Sequence, residues 1–134
     1  MVGRIRVLVV DRSPLLREAI RRCLSDLPGV EVVAVSGDAA QALALVTELR
    51  PDVVLMDSSM SGLDGIEATR LLKCREVAPA VVVCAVEDPE EVRQAARDAG
   101  ADALVRKRDL VRRIENLLAS IVQSRPCFEA RGRV

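Results

Sequence analysis

Two aspartates and one lysine stand out in this sequence by where they fall. Asp11 closes the apolar run VLVV, Asp57 closes VVLM, and Lys107 follows ALVR. If those runs are adjacent parallel strands, the two acids end about 4.8 Å apart. Carboxylates that close repel one another unless a cation intervenes. A hard cation such as Mg²⁺ uses one or two carboxylates together with waters and phosphate oxygens. An ammonium group meets the same need. The chain has only two lysines, Lys73 and Lys107, against 18 arginines. Keeping Lys at a strand end in a chain that otherwise prefers Arg points to a compact, point-like charge at that place. Taken alone, Lys107 equally suits a solvated position beside Arg106 and Arg108.

Composition removes several other chemistries. There is no histidine, so imidazole acid–base catalysis and histidine metal ligation are excluded. Trp and Tyr are missing and Phe128 is the single aromatic residue, which leaves nothing to stack on bases. Lys and Arg balance Asp and Glu at 20 each, which argues against a nucleic-acid or membrane-surface binder working by bulk charge. Cys23, Cys74, Cys84 and Cys127 form no Cys-x-x-Cys pair, so no zinc site or disulfide framework is suggested, and the thiols are expected reduced. No G-x-G-x-x-G or Walker loop occurs. No run reaches bilayer length and no cleavage-like signal opens the chain, so a cytoplasmic location is expected.

The elements that must position the acids and the lysine can be read from periodicity. Strands are expected at 4–10, 30–36, 52–57, 80–85 and 102–106, each rich in Val. The runs Val7–Val10, Val53–Met56 and Val81–Cys84 are continuously apolar, as in strands covered on both faces. Glu31, Asp102 and Arg106 place the second and fifth strands at the sheet edges. Helical stripes run through Leu16, Ile20 and Leu24, through Ala42 and Val46, and through Leu110, Ile114, Leu118 and Ile121. Ser13-Pro14, Asp38 and Asp88-Pro89-Glu90-Glu91 read as helix starts, and Gly100 as a helix end.

Strict alternation of this kind implies an α/β three-layer sandwich. The expected sheet is parallel and five-stranded, of flavodoxin-like order 2-1-3-4-5, with five flanking helices. Ligands of such sheets bind beyond the carboxyl ends of the strands, where the order reverses between strands one and three. That is where Asp11 and Asp57 end.

The segments VLVVDRSPLLREAI, PDVVLMDSSMSGLDGIEATRLL and AGADALVRK closely resemble the receiver domains of bacterial two-component response regulators. The second segment is the most specific: an acid ends a strand, and a Met-x-Gly-x-Asp-Gly loop leads into a helix. The resemblance covers residues 4–123 and leaves 124–134 as a polar tail or truncated linker. It implies a CheY-like fold in which Asp57 accepts a phosphoryl group from a histidine kinase or phosphotransfer protein. It further implies that Lys107 contacts that group, and that Asp11, Asp57 and the backbone carbonyl of Ser59 hold Mg²⁺. A switch of this kind is not itself an enzyme. It relays to an output domain or downstream protein, and the outer helices could pair two copies as a homodimer.

Four positions depart from the pattern. Receivers usually end strand one with two acids, whereas Asp11 is followed here by Arg12, which would weaken or remove the metal site. The Arg12 guanidinium could lie against Asp57 or point into solvent. The hydroxyl residue that ends strand four is replaced by Cys84 or Ala85, depending on whether one counts from Glu87-Asp88-Pro89 or back from Gly100; neither supplies a good donor. Leu104 stands at the aromatic switch position on strand five. Ser61 and Arg108 replace two loop prolines. With Arg12 fixed on Asp57, the chain would instead be a pseudo-receiver, a protein interaction module independent of phosphorylation. A flavin-binding protein of the same fold lacks support, because phosphate-loop and aromatic signals are both missing.

Overall fold

A computed structural model describes residues 4–60 and 62–124. Ser61 and residues 125–134 of the tail expected over 124–134, Cys127 and Phe128 among them, lie outside the described residues, while Ser124 ends the last helix. The elements alternate without exception. They are β1 (Ile5–Val10), α1 (Pro14–Ser25), β2 (Val30–Ser36), α2 (Ala39–Leu49) and β3 (Val53–Asp57), then α3 (Gly65–Lys73), β4 (Ala80–Ala85), α4 (Glu90–Asp98), β5 (Ala103–Arg106) and α5 (Lys107–Ser124). All strand pairs are parallel, in the order β2-β1-β3-β4-β5. The expected order and edge strands are therefore observed.

Side-chain alternation along the strands builds two cores. Val7, Val9, Val53, Leu55, Val82 and Cys84 face Ile20 and Leu24 of α1 and the Leu110–Ile121 stripe of α5. Leu8, Val10, Val54, Met56, Val81 and Val83 face α2, α3 and α4 through residues such as Ala42, Val46, Leu72 and Ala96. With helices on both faces, β3 and β4 are buried along their whole length. This is why their sequences carry no polar alternation.

The helix starts are partly as expected. The Ser13 side chain accepts from the Leu16 amide and Asp38 accepts from the Ala40 amide. The fourth helix differs: Pro89, not Asp88, is its N-cap, in extended conformation, and makes no side-chain cap bond. The Asp88 carboxylate is taken by Arg93 instead, at 2.8 Å. Gly100 follows the end of α4 at φ +91°, where a left-handed residue closes a helix.

Two aspartates expected as first strand residues lie just outside their strands. Asp52 accepts from the Arg6 amide at 2.9 Å. Asp102 accepts from the Val81 amide at 2.8 Å and from Lys73 Nζ at 2.9 Å. Each carboxylate clasps the start of a neighbouring strand, at the end of the sheet away from Asp11 and Asp57.

Candidate functional site

At the carboxyl end of the sheet the three singled-out residues meet. Asp11 follows β1, Asp57 is the last residue of β3, and Lys107 opens α5 directly after β5. Lys107 Nζ lies 2.8 Å from Asp11 Oδ2 and 3.0 Å from Asp57 Oδ2. The Asp57 side chain is 1% exposed, that of Asp11 3%, and that of Lys107 13%. Two nearly buried carboxylates thus converge on one ammonium. The solvated-lysine reading of Lys107 does not hold. Burial works against the charged ammonium, but the hydrogen bonds and charges of Asp11 and Asp57 outweigh it and raise the Lys107 pKa above its ordinary value.

Backbone donors fix the remaining carboxylate oxygens. Asp11 Oδ1 accepts from the Ser13 amide at 2.8 Å. Asp57 Oδ1 accepts from the Ser59 amide at 3.1 Å, and Asp57 Oδ2 from the Arg12 amide at 3.3 Å. Such contacts fix the rotamers of both acids, so the pocket is preorganised before any ligand enters. The strand ends are tied in turn. The Asp11 amide donates to the Ser36 carbonyl at 3.0 Å, and the Ser58 amide to the Cys84 carbonyl at 2.9 Å.

Arg12 contributes its backbone, not its charge. Its side chain is exposed, and it forms no ion pair with either acid. Of the two placements open in the sequence, the solvent-facing one is observed, because Lys107 already occupies the point of convergence. The pseudo-receiver reading required Arg12 fixed on Asp57, and it loses its basis.

Strand register decides between Cys84 and Ala85. Cys84 is paired with Asp57, whereas Ala85 is paired with Arg106 and points to the opposite face. Cys84 is buried, and its Sγ lies 3.7 Å from the Val82 carbonyl. Burial, reinforced by the negative charges of Asp11 and Asp57 against the opposing effect of Lys107, pushes its thiol pKa up to about 12. It is a neutral, weakly donating neighbour of the acids. Leu104 packs among the apolar residues of the α2–α4 side. It borders a hollow of about 160 Å³ also lined by Arg93, Ala96 and Arg97.

Two contributors were not singled out from the sequence. Arg17 of α1 donates from Nη1 to the Asp11 carbonyl at 2.7 Å and passes against Gly37, where a Cβ would meet its guanidinium. No sequence signal separates it from the other helical arginines. Gly65, the last residue of the Met-x-Gly-x-Asp-Gly run, packs against the end of β3. A Cβ there would stand 1.8 Å from the Asp57 carbonyl oxygen. A glycine at the first position of a helix was the available signal.

Asp11 and Asp57 bring two carboxylates to one point, and the cation that meets them there is the Lys107 ammonium. Two carboxylates are at the sparse end of what Mg²⁺ accepts, and water and a phosphoryl oxygen must complete its shell. Among the described residues no cluster of three His, Cys, Asp or Glu side chains is placed to hold a metal. The described helices include none long and apolar enough to cross a membrane.

Comparison with known proteins agrees with this geometry. A family model described as the response regulator receiver domain matches residues 7–119. The chain is 46% identical over 108 residues to a protein-glutamate methylesterase/protein-glutamine glutaminase of Myxococcus xanthus, covering 80% of the chain and 31% of that protein. It is 37% identical over 102 residues to the nitrate/nitrite response regulator protein NarP of Escherichia coli, covering 76% of the chain and 47% of NarP. The chain thus spans less than half the length of these relatives. The signal receiver domain of a NarL response regulator from Mycobacterium tuberculosis superposes with a TM-score of 0.86 at 30% identity, covering 92% of this chain and 99% of that one. The response regulator domain of Thermotoga maritima CheB gives 0.78 at 29% identity, covering 90% and 95%. The chain belongs to the response regulator receiver family, with the CheY-like fold and a role in phosphorelay signalling.

Proposed function

We propose that residues 4–123 form a phosphoryl-accepting switch in which Asp57 is the acceptor and Lys107 contacts the incoming group. The observation that carries this reading is the convergence of Asp11 Oδ2 and Asp57 Oδ2 on Lys107 Nζ, within 3.0 Å. Asp57 is an oxygen nucleophile held at the topological switch point of the sheet. With a phosphohistidine donor, a carboxylate oxygen bonds to phosphorus as the P–N bond breaks. The imidazole nitrogen keeps the electron pair. Positioning and charge neutralisation supply most of the catalysis in such transfers. Lys107 serves both by turning from the carboxylates toward the new phosphoryl oxygens. Because Lys107 is the first residue of α5, that turn pulls on the β5–α5 junction, which links chemistry at Asp57 to an outer surface.

Asp11, Asp57 and the Ser59 backbone carbonyl are the groups that would hold Mg²⁺. When bound, the ion supplies neutralisation of phosphoryl charge. A histidine kinase or phosphotransfer protein is the proposed donor, and an output domain or downstream protein the receiver of the signal. A homodimer through the outer helices and a cytoplasmic setting complete the proposal. The reaction is a single modification of the domain's own side chain, not turnover of a separate substrate.

The test is beryllofluoride, which mimics a phosphoryl group, titrated in the presence of Mg²⁺ and followed by amide NMR. Saturable shifts centred on residues 57–59 and 107 are expected, and they should vanish in Asp57→Asn. Shifts that persist in that variant would overturn the assignment.

A further inference from the structure

We propose that Arg12 is the second cation of the phosphoryl site and makes a divalent ion dispensable there. The proposal rests on the reading of Asp57 as acceptor and deepens it. In the resting pocket one ammonium faces two nearly buried carboxylates, so the pocket is net negative before any phosphate arrives. Modification of Asp57 replaces a single negative charge by a phosphoryl group carrying about −1.5 to −2. Lys107 alone cannot balance that.

Arg12 is placed to do so. Its amide lies 3.3 Å from Asp57 Oδ2, which anchors its backbone beside the acceptor. Its side chain is exposed and carries no ion pair, so folding inward breaks no existing contact. Two nearby cations are committed, Arg17 to the Asp11 carbonyl and Arg106 to Asp109. In the resting pocket Lys107 holds both Oδ2 atoms and the Ser13 and Ser59 amides hold the Oδ1 atoms. A phosphoryl group on the buried Asp57 brings new oxygens to the rim, where Arg12 stands. A guanidinium fork matches two of those oxygens at once, which a point-like ammonium cannot do.

The experiment uses the full 134-residue chain, acetyl phosphate as donor, and intact-mass detection, in Mg²⁺ or in EDTA. In the reaction an Asp57 oxygen bonds to phosphorus as the P–O bond to acetate breaks. Acetate leaves with the electron pair. Wild-type labelling in EDTA is expected within about threefold of its rate in Mg²⁺, whereas Arg12→Ala in EDTA should fall about 100-fold, the usual loss for one preorganised charge-stabilising donor. Arg12→Asp should label only with Mg²⁺. Independently of rate, beryllofluoride in EDTA should shift and protect the Arg12 Nε–H resonance in wild type. Wild-type labelling confined to Mg²⁺, with Arg12→Ala unaffected, would overturn the role of Arg12 while leaving Asp57 as acceptor. Failure of wild type to label in either solution would overturn both.

Discussion

Replacing Lys107 by Met should destabilise the domain through the two acids it leaves behind. The ammonium contacts Asp11 and Asp57 at 2.8 and 3.0 Å, and their side chains are only 3% and 1% exposed. A unit-charge pair at 4 Å is worth about 4 kcal/mol at an effective dielectric of 20, before desolvation is subtracted. Breaking a buried pair by removing one partner typically costs about 3–5 kcal/mol. Here the amides of Arg12, Ser13 and Ser59 still donate to the carboxylates, which favours the lower end, about 3 kcal/mol. In urea that is a fall in midpoint of about 1.5 M with an unchanged slope. Adding Asp57→Asn to Lys107→Met removes one of the repelling charges and should recover about half of the loss. The pH dependence follows from the raised Lys107 pKa. Its stabilising contribution is fully present below its ordinary value of 10.5 and is lost as pH rises through the raised one. The gap between wild type and Lys107→Met should therefore stay constant from neutral pH to that point, then close. A loss below about 1 kcal/mol at neutral pH, the range of an exposed ion pair, would mean that the two carboxylates do not depend on a buried ammonium.

Gly65→Ala places a methyl 1.8 Å from the Asp57 carbonyl. It should cost about 3 kcal/mol in urea unfolding and slow acetyl phosphate labelling by moving the acceptor strand. Cys84, with its thiol pushed up to about 12, should resist iodoacetamide at pH 8 in the folded protein while the exposed Cys74 reacts, as read by peptide mapping. Because folded Cys84 keeps a proton that the unfolded chain loses from about pH 9 upward, stability should fall with rising pH there, and less so in Cys84→Ala. Arg17→Met removes the bond to the Asp11 carbonyl, and about 1.5 kcal/mol of stability should go with it in the same urea assay.

The layered fold was legible because its information is repeated along the chain. β3 and β4 lie in the middle of the sheet with helices on both faces, so their apolar runs admit no polar alternation. Glu31 and Arg106 mark the edges, and one stripe per helix marks its buried face. The meeting of Asp11 and Asp57 followed from topology, since both stand at the carboxyl end of a parallel sheet, whereas Lys107 equally suited a solvated position until the fold placed it between them. What stayed hidden was the outcome of competition. Arg12 and Lys107 are both cations within reach of Asp57, and nothing in their spacing says which takes Oδ2. The choice between Cys84 and Ala85 needed the strand register, because one residue of slip changes the face. Asp52 and Asp102 looked like strand residues, yet each serves as a side-chain acceptor for the backbone of an adjacent strand. Arg17 was invisible because a helical arginine gives no sign that its far end reaches a strand carbonyl.

The proposed switch depends most on Asp57 receiving the phosphoryl group. Borohydride reduces an acyl phosphate to the alcohol and so turns a phosphorylated aspartate into homoserine. Peptide sequencing after labelling and reduction should find homoserine at position 57 and nowhere else in the chain. Homoserine at Asp11 or at any other aspartate, with position 57 still aspartate, would contradict it.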